Sequence, residues 1–289
     1  MLLGPFADLD TPFAGRLPCA LFPRTTEAVV RAAVIIPARY ASTRFPGKPL
    51  VPLLGKPMLA WVVEAALRAE GVGEVLVATD DERIADAAGA AGATPVMTPS
   101  TCQTGTDRVA LAAKTSTAEI IVNLQGDEPA INPENITTLI KVLEDDPEVP
   151  LATLSRPLSD PAELWSPDTV KVVSTRAGDA LYFSRQPIPY FREAWRGREG
   201  NSPAPESSIQ PLGHVGIYAF RRAALFAFTD LSRTPLEEAE ELEQLRALES
   251  GWRIRVAPSL PPWPAGVDNP QDVERAEKAL RELYGSGVA

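Results

Sequence analysis

The sequence predicts an α/β fold, a mainly parallel β-sheet flanked by helices with a smaller antiparallel subdomain. Three observations predict it. Short apolar runs recur at 34–36, 74–79 and 119–124, as strands buried on both faces require. Each is followed by a stretch with helical periodicity, and that alternation builds right-handed crossover units. Beyond residue 150 the β-branched and aromatic runs follow one another with no helix long enough for a crossover, which implies antiparallel pairing.

The first strand, Val34-Ile35-Ile36, stops at Pro37, which cannot donate to a continuing ladder. The loop after it carries Arg39, Ser42, Arg44, Gly47 and Lys48. It reads either as a cradle for a triphosphate or as an ordinary basic surface loop. Charge context favours the cradle. The 289-residue chain has a formal net charge of −10, yet no Asp or Glu falls between Ala28 and Val63. A locally positive window in an acidic protein suits an anion. The overall negative charge argues against a nucleic-acid partner.

The elements follow in order. Residues 57–69 predict a helix with Leu59, Val62, Val63, Ala66 and Leu67 on one face, ended by Gly71. The strand 74–79 runs through Thr79 to Asp80, which reads as a capping carboxylate or as a residue lining a site. A helix from about 82 to 91 and a short strand, 94–98, come next. The loop 98–107 ends in Thr104-Gly105-Thr106-Asp107-Arg108 and enters a helix over 108–114. Thr106 reads as its N-cap, or this group reads a base edge or a phosphate. The strand 119–124 runs into Gln125-Gly126-Asp127, and a helix follows over 133–143 with Pro133 at its first position.

In a parallel sheet, ligands sit outside the carboxyl ends of the strands. The loop at 37–48, Asp80 and Asp127 all leave such ends. Asp127 reads as a turn residue or as a carboxylate holding Mg²⁺ on a phosphate.

The antiparallel pieces are 150–157, 169–174 and 179–184. Lys171 faces either solvent or the site. Residues 192–211 read as a loop over a site or as a disordered excursion. On the strand 214–220, His214, Gly216 and Tyr218 share one face, in the core or against a pocket. Thr234-Pro235-Leu236-Glu237 is a capping-box signature opening a helix to about Ser250. On it Glu237, Glu238, Glu240 and Glu241 form a solvated face, while Glu243 and Gln244 sit beside the apolar stripe. A strand, 252–256, and a final helix, 270–283, close the chain, with Asp268 read as a cap partner or a second metal carboxylate.

Composition excludes other chemistry. Two cysteines far apart offer neither a disulfide framework nor a CxxC metal site, and they suit a reducing cytoplasm. One histidine cannot build a His-rich zinc centre. No apolar run is long enough to span a membrane, and residues 1–32 lack the basic start of a signal peptide. They read as an N-terminal extension, possible disorder included. Residues 33–284 then form one domain with an antiparallel insert around 150–220, and 285–289 a tail.

The motifs together resemble a family. Ile35 to Leu50 closely resembles the opening of the 3-deoxy-manno-octulosonate cytidylyltransferases, the CMP-Kdo synthetases. The resemblance continues through Val77-Ala78-Thr79-Asp80, Thr104 to Arg108, Asn123 to Pro129, Val170 to Val173 and Ala180 to Arg185. It extends through His214 to Tyr218, Leu242 to Arg246 and Gly266-Val267-Asp268. It covers about residues 33–284, in order. It implies a Rossmann-like fold of the nucleotide-diphospho-sugar transferase type, a homodimer joined near 160–190, and transfer of CMP from CTP to the anomeric hydroxyl of Kdo with release of pyrophosphate. Arg39, Ser42, Arg44 and Lys48 would bind the triphosphate, with Thr79, Asp80, Thr104, Gly105, Thr106, Arg108 and Gln125 completing the nucleotide site. Thr104 stands where the family pattern has serine. Asp127 and Asp268 would hold Mg²⁺ and, with Arg39 and Lys48, carry the catalysis. Gln125, Arg185, His214, Tyr218, Glu243 and Gln244 would hold the acidic sugar.

Overall fold

The computed structural model describes residues 32–41, 45–197, 202–205, 209–263 and 266–285. The predicted extension up to residue 31, the end of the tail, and Ser42 and Arg44 lie outside the described residues.

The chain opens with β1 (Ala32–Ala38), a 3-10 turn (Lys48–Leu50), the hairpin β2 (Pro52–Leu53) and β3 (Lys56–Pro57), and α1 (Met58–Arg68). It continues with β4 (Val72–Thr79), α2 (Glu82–Ala90), β5 (Thr94–Met97), α3 (Gly105–Ala113), β6 (Ile120–Asn123) and α4 (Pro133–Asp145). Then come β7 (Leu151–Pro157), α5 (Pro161–Trp165), β8 (Lys171–Ser174), β9 (Ala180–Ser184) and α6 (Arg192–Trp195). β10 (Leu212–Arg221), α7 (Arg222–Thr229), α8 (Pro235–Glu240), α9 (Leu245–Glu249), β11 (Ile254–Pro258) and α10 (Asp272–Tyr284) complete it.

Among the described residues nine strands share one sheet, with the order β11-β7-β10-β6-β1-β4-β5 and β8 and β9 attached beside β10. β6, β1, β4 and β5 run parallel, so their carboxyl ends open on one side. β10 is antiparallel to both β6 and β7. The antiparallel pieces predicted around 150–220 therefore extend the main sheet and do not fold as a separate layer.

The pleat of β1 explains its apolar run. Val34 and Ile36 pack with Leu59, Val62 and Val63 of α1 and Ile136, Leu139 and Ile140 of α4. Ile35 faces the other way, toward Val109 and Ala112 of α3 and Leu225 and Phe228 of α7. Helices cover both faces, so no position on this strand can be polar. Burying each such side chain contributes about 1.5–3 kcal/mol.

A third cluster joins Leu53, Met58 and Trp61 to Val267, Ala276 and Leu280. It docks α10 against the hairpin. Val267 N–H donates to the Asp127 carbonyl at 3.0 Å, which brings the loop before α10 to the tip of β6.

The structure corrects five local readings. The helix expected over 235–250 breaks after Glu240, because Glu241 adopts a left-handed conformation with φ 51°. Glu237 and Glu240 do not face solvent: Glu237 is buried and paired with Arg246 at 2.6 and 2.8 Å, while Glu240 accepts bonds from Ser184 and Arg185. Thr104, not Thr106, caps α3 through a reciprocal box with Asp107. Lys171 is fully buried, its ammonium held by backbone carbonyls. The segment 192–197 is packed, not open: Trp195 is buried between Trp165, Tyr190 and Phe191.

Candidate active site

A cleft of about 760 Å³ opens at the carboxyl ends of β1 and β6. Arg39, Lys48, Thr104, Gly105, Arg108, Gln125, Asp127 and Asp268 all line it. These residues come from four separate stretches of chain, and local backbone chemistry delivers each.

Gly47 takes φ 71°, which favours glycine, and precedes the 3-10 turn that carries Lys48. The Tyr40 ring lies 3.2 Å from where a Cβ would stand on Gly47, so the loop closes tightly on itself. Gly126 allows β6 to approach β1, since a Cβ there would meet the Pro37 carbonyl at 3.1 Å.

Lys48 joins the two predicted metal carboxylates. Its ammonium donates to Asp127 Oδ2 at 2.6 Å and reaches Asp268 Oδ1 at 3.5 Å. The cap reading of Asp268 is replaced, because Asp272 accepts the Asp268 and Asn269 amides, each at 2.9 Å. Asp268 is thereby left at the cleft. Behind the pair, burial and then the charges of Asp127 and Asp268 push Glu128 up to about 8. That shift favours its neutral form, and its Oε2 has no hydrogen-bond partner among the described residues. The pair itself supplies two hard anionic oxygen donors facing a polar cleft, which fits Mg²⁺; among the described residues no cluster of three or more metal-ligating side chains forms. A cation here would complete its shell with water and phosphate oxygens.

Thr79 and Asp80 stand one step behind the cleft. Thr79 is buried, and its hydroxyl accepts the Asp81 amide at 3.2 Å. Asp80 pairs with Arg108 at 3.0 Å, and Arg108 also donates to Thr98 at 2.5 Å. Together they fix the guanidinium that lines the cleft. Gln125 donates to Asn123 at 3.2 Å, and Asn123 donates to Thr106 at 3.3 Å. Thr106 donates to Glu243 Oε2 at 2.6 Å. Burial raises the Glu243 carboxyl above its usual range; its Oε1 lies 4.0 Å from the Arg246 guanidinium, and neither Oε1 nor the Gln244 amide nitrogen has a hydrogen-bond partner among the described residues.

His214 and Tyr218 do share a face, with ring centroids 5.4 Å apart. The Thr153 hydroxyl lies 2.8 Å from the Ile217 carbonyl and 2.9 Å from His214 Nε2. A hydroxyl has one proton, and the carbonyl can only accept it. With that proton donated to the Ile217 or Val215 carbonyl, Thr153 accepts from His214 Nε2 and Nδ1 is left as an acceptor. Burial lowers the imidazole to about 3, so it is neutral at pH 7. Burial, then the Glu243 charge, pushes the Tyr218 phenol well above its ordinary value. Arg185 does not line the cleft in this state. Its guanidinium donates to the carbonyls of Glu240 at 2.7 Å, Pro167 at 2.9 Å and Glu241 at 3.3 Å.

Glu128, Asn123, Thr98 and Glu241 were not singled out by the sequence reading. Glu128 and Asn123 fall inside the Asn123–Pro129 motif, which was the available signal.

The family model for cytidylyltransferases matches residues 33–254. A 3-deoxy-manno-octulosonate cytidylyltransferase from Anaeromyxobacter sp. (strain Fw109-5) is 52% identical over 252 residues, spanning 86% of this chain and 97% of its own length. That of Geobacter metallireducens is 47% identical over 251 residues, spanning 87% and 98%. The solved structure of CMP:2-keto-3-deoxy-manno-octonic acid synthetase complexed with CTP aligns with a TM-score of 0.77 at 44% identity, covering 87% of this chain and 99% of that one.

Proposed function

We propose that this chain, which belongs to the 3-deoxy-manno-octulosonate cytidylyltransferase family, transfers CMP from CTP to the anomeric hydroxyl of Kdo, forming CMP-Kdo and pyrophosphate for lipopolysaccharide biosynthesis. One observation carries the reading: Arg39, Lys48, Asp127 and Asp268 meet in one cleft, in a chain 44% identical over 87% of its length to a synthetase solved with CTP.

Transfer between two anions needs charge neutralisation and in-line placement more than a protein nucleophile. In this reading Arg39 and Lys48, with Ser42 and Arg44 from the same loop, grip the triphosphate and offset charge developing on the departing pyrophosphate. Thr104, Gly105, Thr106, Arg108 and Gln125 face the cytidine, with Thr79 and Asp80 supporting them from behind. Asp127 and Asp268 would hold Mg²⁺, which when bound supplies positive charge to the phosphate and lowers the pKa of the attacking hydroxyl. Lys48 occupies the space between the two carboxylates in the free protein and so keeps them from repelling one another.

The sugar-acid half is assigned to Gln125, Arg185, His214, Tyr218, Glu243 and Gln244. A neutral His214 offers Nδ1 as an acceptor for a sugar hydroxyl and cannot pair with the acid's charge. That charge falls to Arg185, whose planar fork suits a carboxylate.

A homodimer is part of the proposal. Leu181, on the strand β9 near the sheet margin, is 61% exposed and supplies an apolar anchor within 160–190. A cytoplasmic setting fits the two cysteines, and no helix among the described residues is long and apolar enough to cross a membrane.

The test is CMP-sugar formation from CTP and Mg²⁺ with Kdo, an amino-substituted Kdo and a sialic acid at equal concentration. Kdo is expected to give the highest kcat/KM. A higher value with either rival acid would overturn the substrate assignment.

A further inference from the structure

The protein contains a buried polar knot outside the cleft. Lys171 places all three ammonium donors on carbonyls: Ser166 at 2.8 Å, Thr169 at 2.5 Å and Arg185. Its amine is saturated and has no donor left to offer. Glu240 faces the same segment. Its Oε1 accepts from the Ser184 hydroxyl at 2.7 Å, and its Oε2 accepts from the Arg185 amide at 2.8 Å. The Arg185 side chain returns to the carbonyls of Glu240 and Glu241. Three of its five N–H groups are spent in this way, counting Pro167, which leaves at most two for any ligand.

The knot sits where the backbone is strained. Glu241 is a non-glycine residue with φ 51° and ψ 47°, a conformation that persists only when its surroundings enforce it. Glu241 lines the cleft, and two residues later Glu243 receives the Thr106 hydroxyl. Had the helix from Pro235 continued, residues 243 and 244 would have turned through a further helical arc. The left-handed residue redirects them toward α3.

We infer that Glu240 and Lys171 are positioning residues for the sugar-acid half: they pin the Arg185 backbone and the left-handed Glu241 turn to β8 and β9, and through that turn they aim Glu243 and Gln244. Neither lines the cleft. The inference rests on the functional reading above for the identity of the affected substrate, but the mechanical part stands on the hydrogen bonds alone.

Two measurements separate those parts. Glu240→Gln keeps the shape but sets an amide N–H₂ against a donor, and the half-buried position lets the variant fold. Hydrogen exchange, which needs no substrate, is expected to speed up at least tenfold over residues 241–246 relative to wild type, with 106–113 unchanged. Unchanged exchange at 241–246 would overturn the inference. In steady-state kinetics, KM for Kdo is expected to rise tenfold or more while KM for CTP stays within twofold. Equal rises in both, or none, would also overturn it. Ile140→Val, on the opposite face of the sheet, is the stability control and is expected to leave both KM values alone. Lys171→Met is expected to reproduce the Glu240→Gln pattern in exchange and in kinetics. Failure of the wild type to use Kdo would instead remove the functional reading, with the exchange result still deciding the mechanical claim.

Discussion

Replacing Asp127 by Asn tests the cleft most severely for the least structural change. The amide keeps the volume and still offers an oxygen to Lys48, which now sits 2.6 Å from Oδ2. What disappears is one of two anionic charges. A charge-assisted hydrogen bond contributes about 1.5–3 kcal/mol net. Asp127 makes one such contact to Lys48 and, in the proposed complex, one to the cation. Only the contact to the cation acts in the transition state, where Lys48 turns to the phosphates, so its loss is worth about 1.5–3 kcal/mol, or roughly 10–10² in kcat/KM. The fold should not suffer, because the Asp127 side chain is already 32% exposed and no apolar contact is lost. Pyrophosphate release from CTP and Kdo at saturating Mg²⁺ reads the kinetic effect. Electron paramagnetic resonance titration with Mn²⁺ reads cation affinity without turnover and is expected to show at least tenfold weaker binding. A variant within threefold of wild type in both assays would remove Asp127 from the mechanism.

Other outcomes follow from the same geometry. Arg39→Ala should raise KM for CTP tenfold or more and leave KM for Kdo within twofold, since Arg39 lines the cleft and is proposed to grip the triphosphate. Thr106→Val should cost about 1–3 kcal/mol in chemical denaturation, because it leaves the buried Glu243 carboxyl without its donor, while Thr106→Ser should recover most of it. The lowered His214 pKa makes stability depend on pH. The unfolded chain takes up this proton near pH 6.5 and the folded chain only near 3, so stability from this group is lost as pH falls through that window and is complete above it. The slope is at most about 1.4 kcal/mol per pH unit. His214→Gln should flatten that part of a pH-resolved urea series; an unchanged slope would mean that His214 is protonated more readily than its surroundings imply. Leu181→Glu should shift the mass found by light scattering from twice the chain mass to the chain mass itself.

Much of this was legible in the sequence because the signals were local. Val34-Ile35-Ile36 could only be a strand covered on both faces, and Pro37 ended it where the cationic loop had to begin. Parallel topology then put that loop and Asp127 on one side of the sheet, and the family pattern added Asp268. The misread parts depend on partners distant in the chain. Glu237 looked solvent-facing because nothing nearby announced Arg246, which is brought back by the turn at Glu241. That turn has no glycine to mark it, so the stretch from Thr234 to Ser250 reads as one helix. Lys171 alternates correctly for a strand, but its partners at Ser166 and Arg185 are backbone carbonyls, which carry no sequence signature. Thr104 and Thr106 were equally good caps by residue type. Only the approach of Glu243, 137 residues away, decides which hydroxyl turns inward.

The central claim is that one cleft holds the nucleotide phosphates and the sugar acid together for direct phosphoryl attack. Phosphorus NMR of the wild-type protein with CTP, Mg²⁺ and Kdo follows that event atom by atom. The triphosphate resonances should decay as a phosphodiester signal and pyrophosphate grow in equal amounts, with no change when Kdo is left out. Persistence of the three CTP signals with all components present, or release of inorganic phosphate in place of pyrophosphate, would contradict the account.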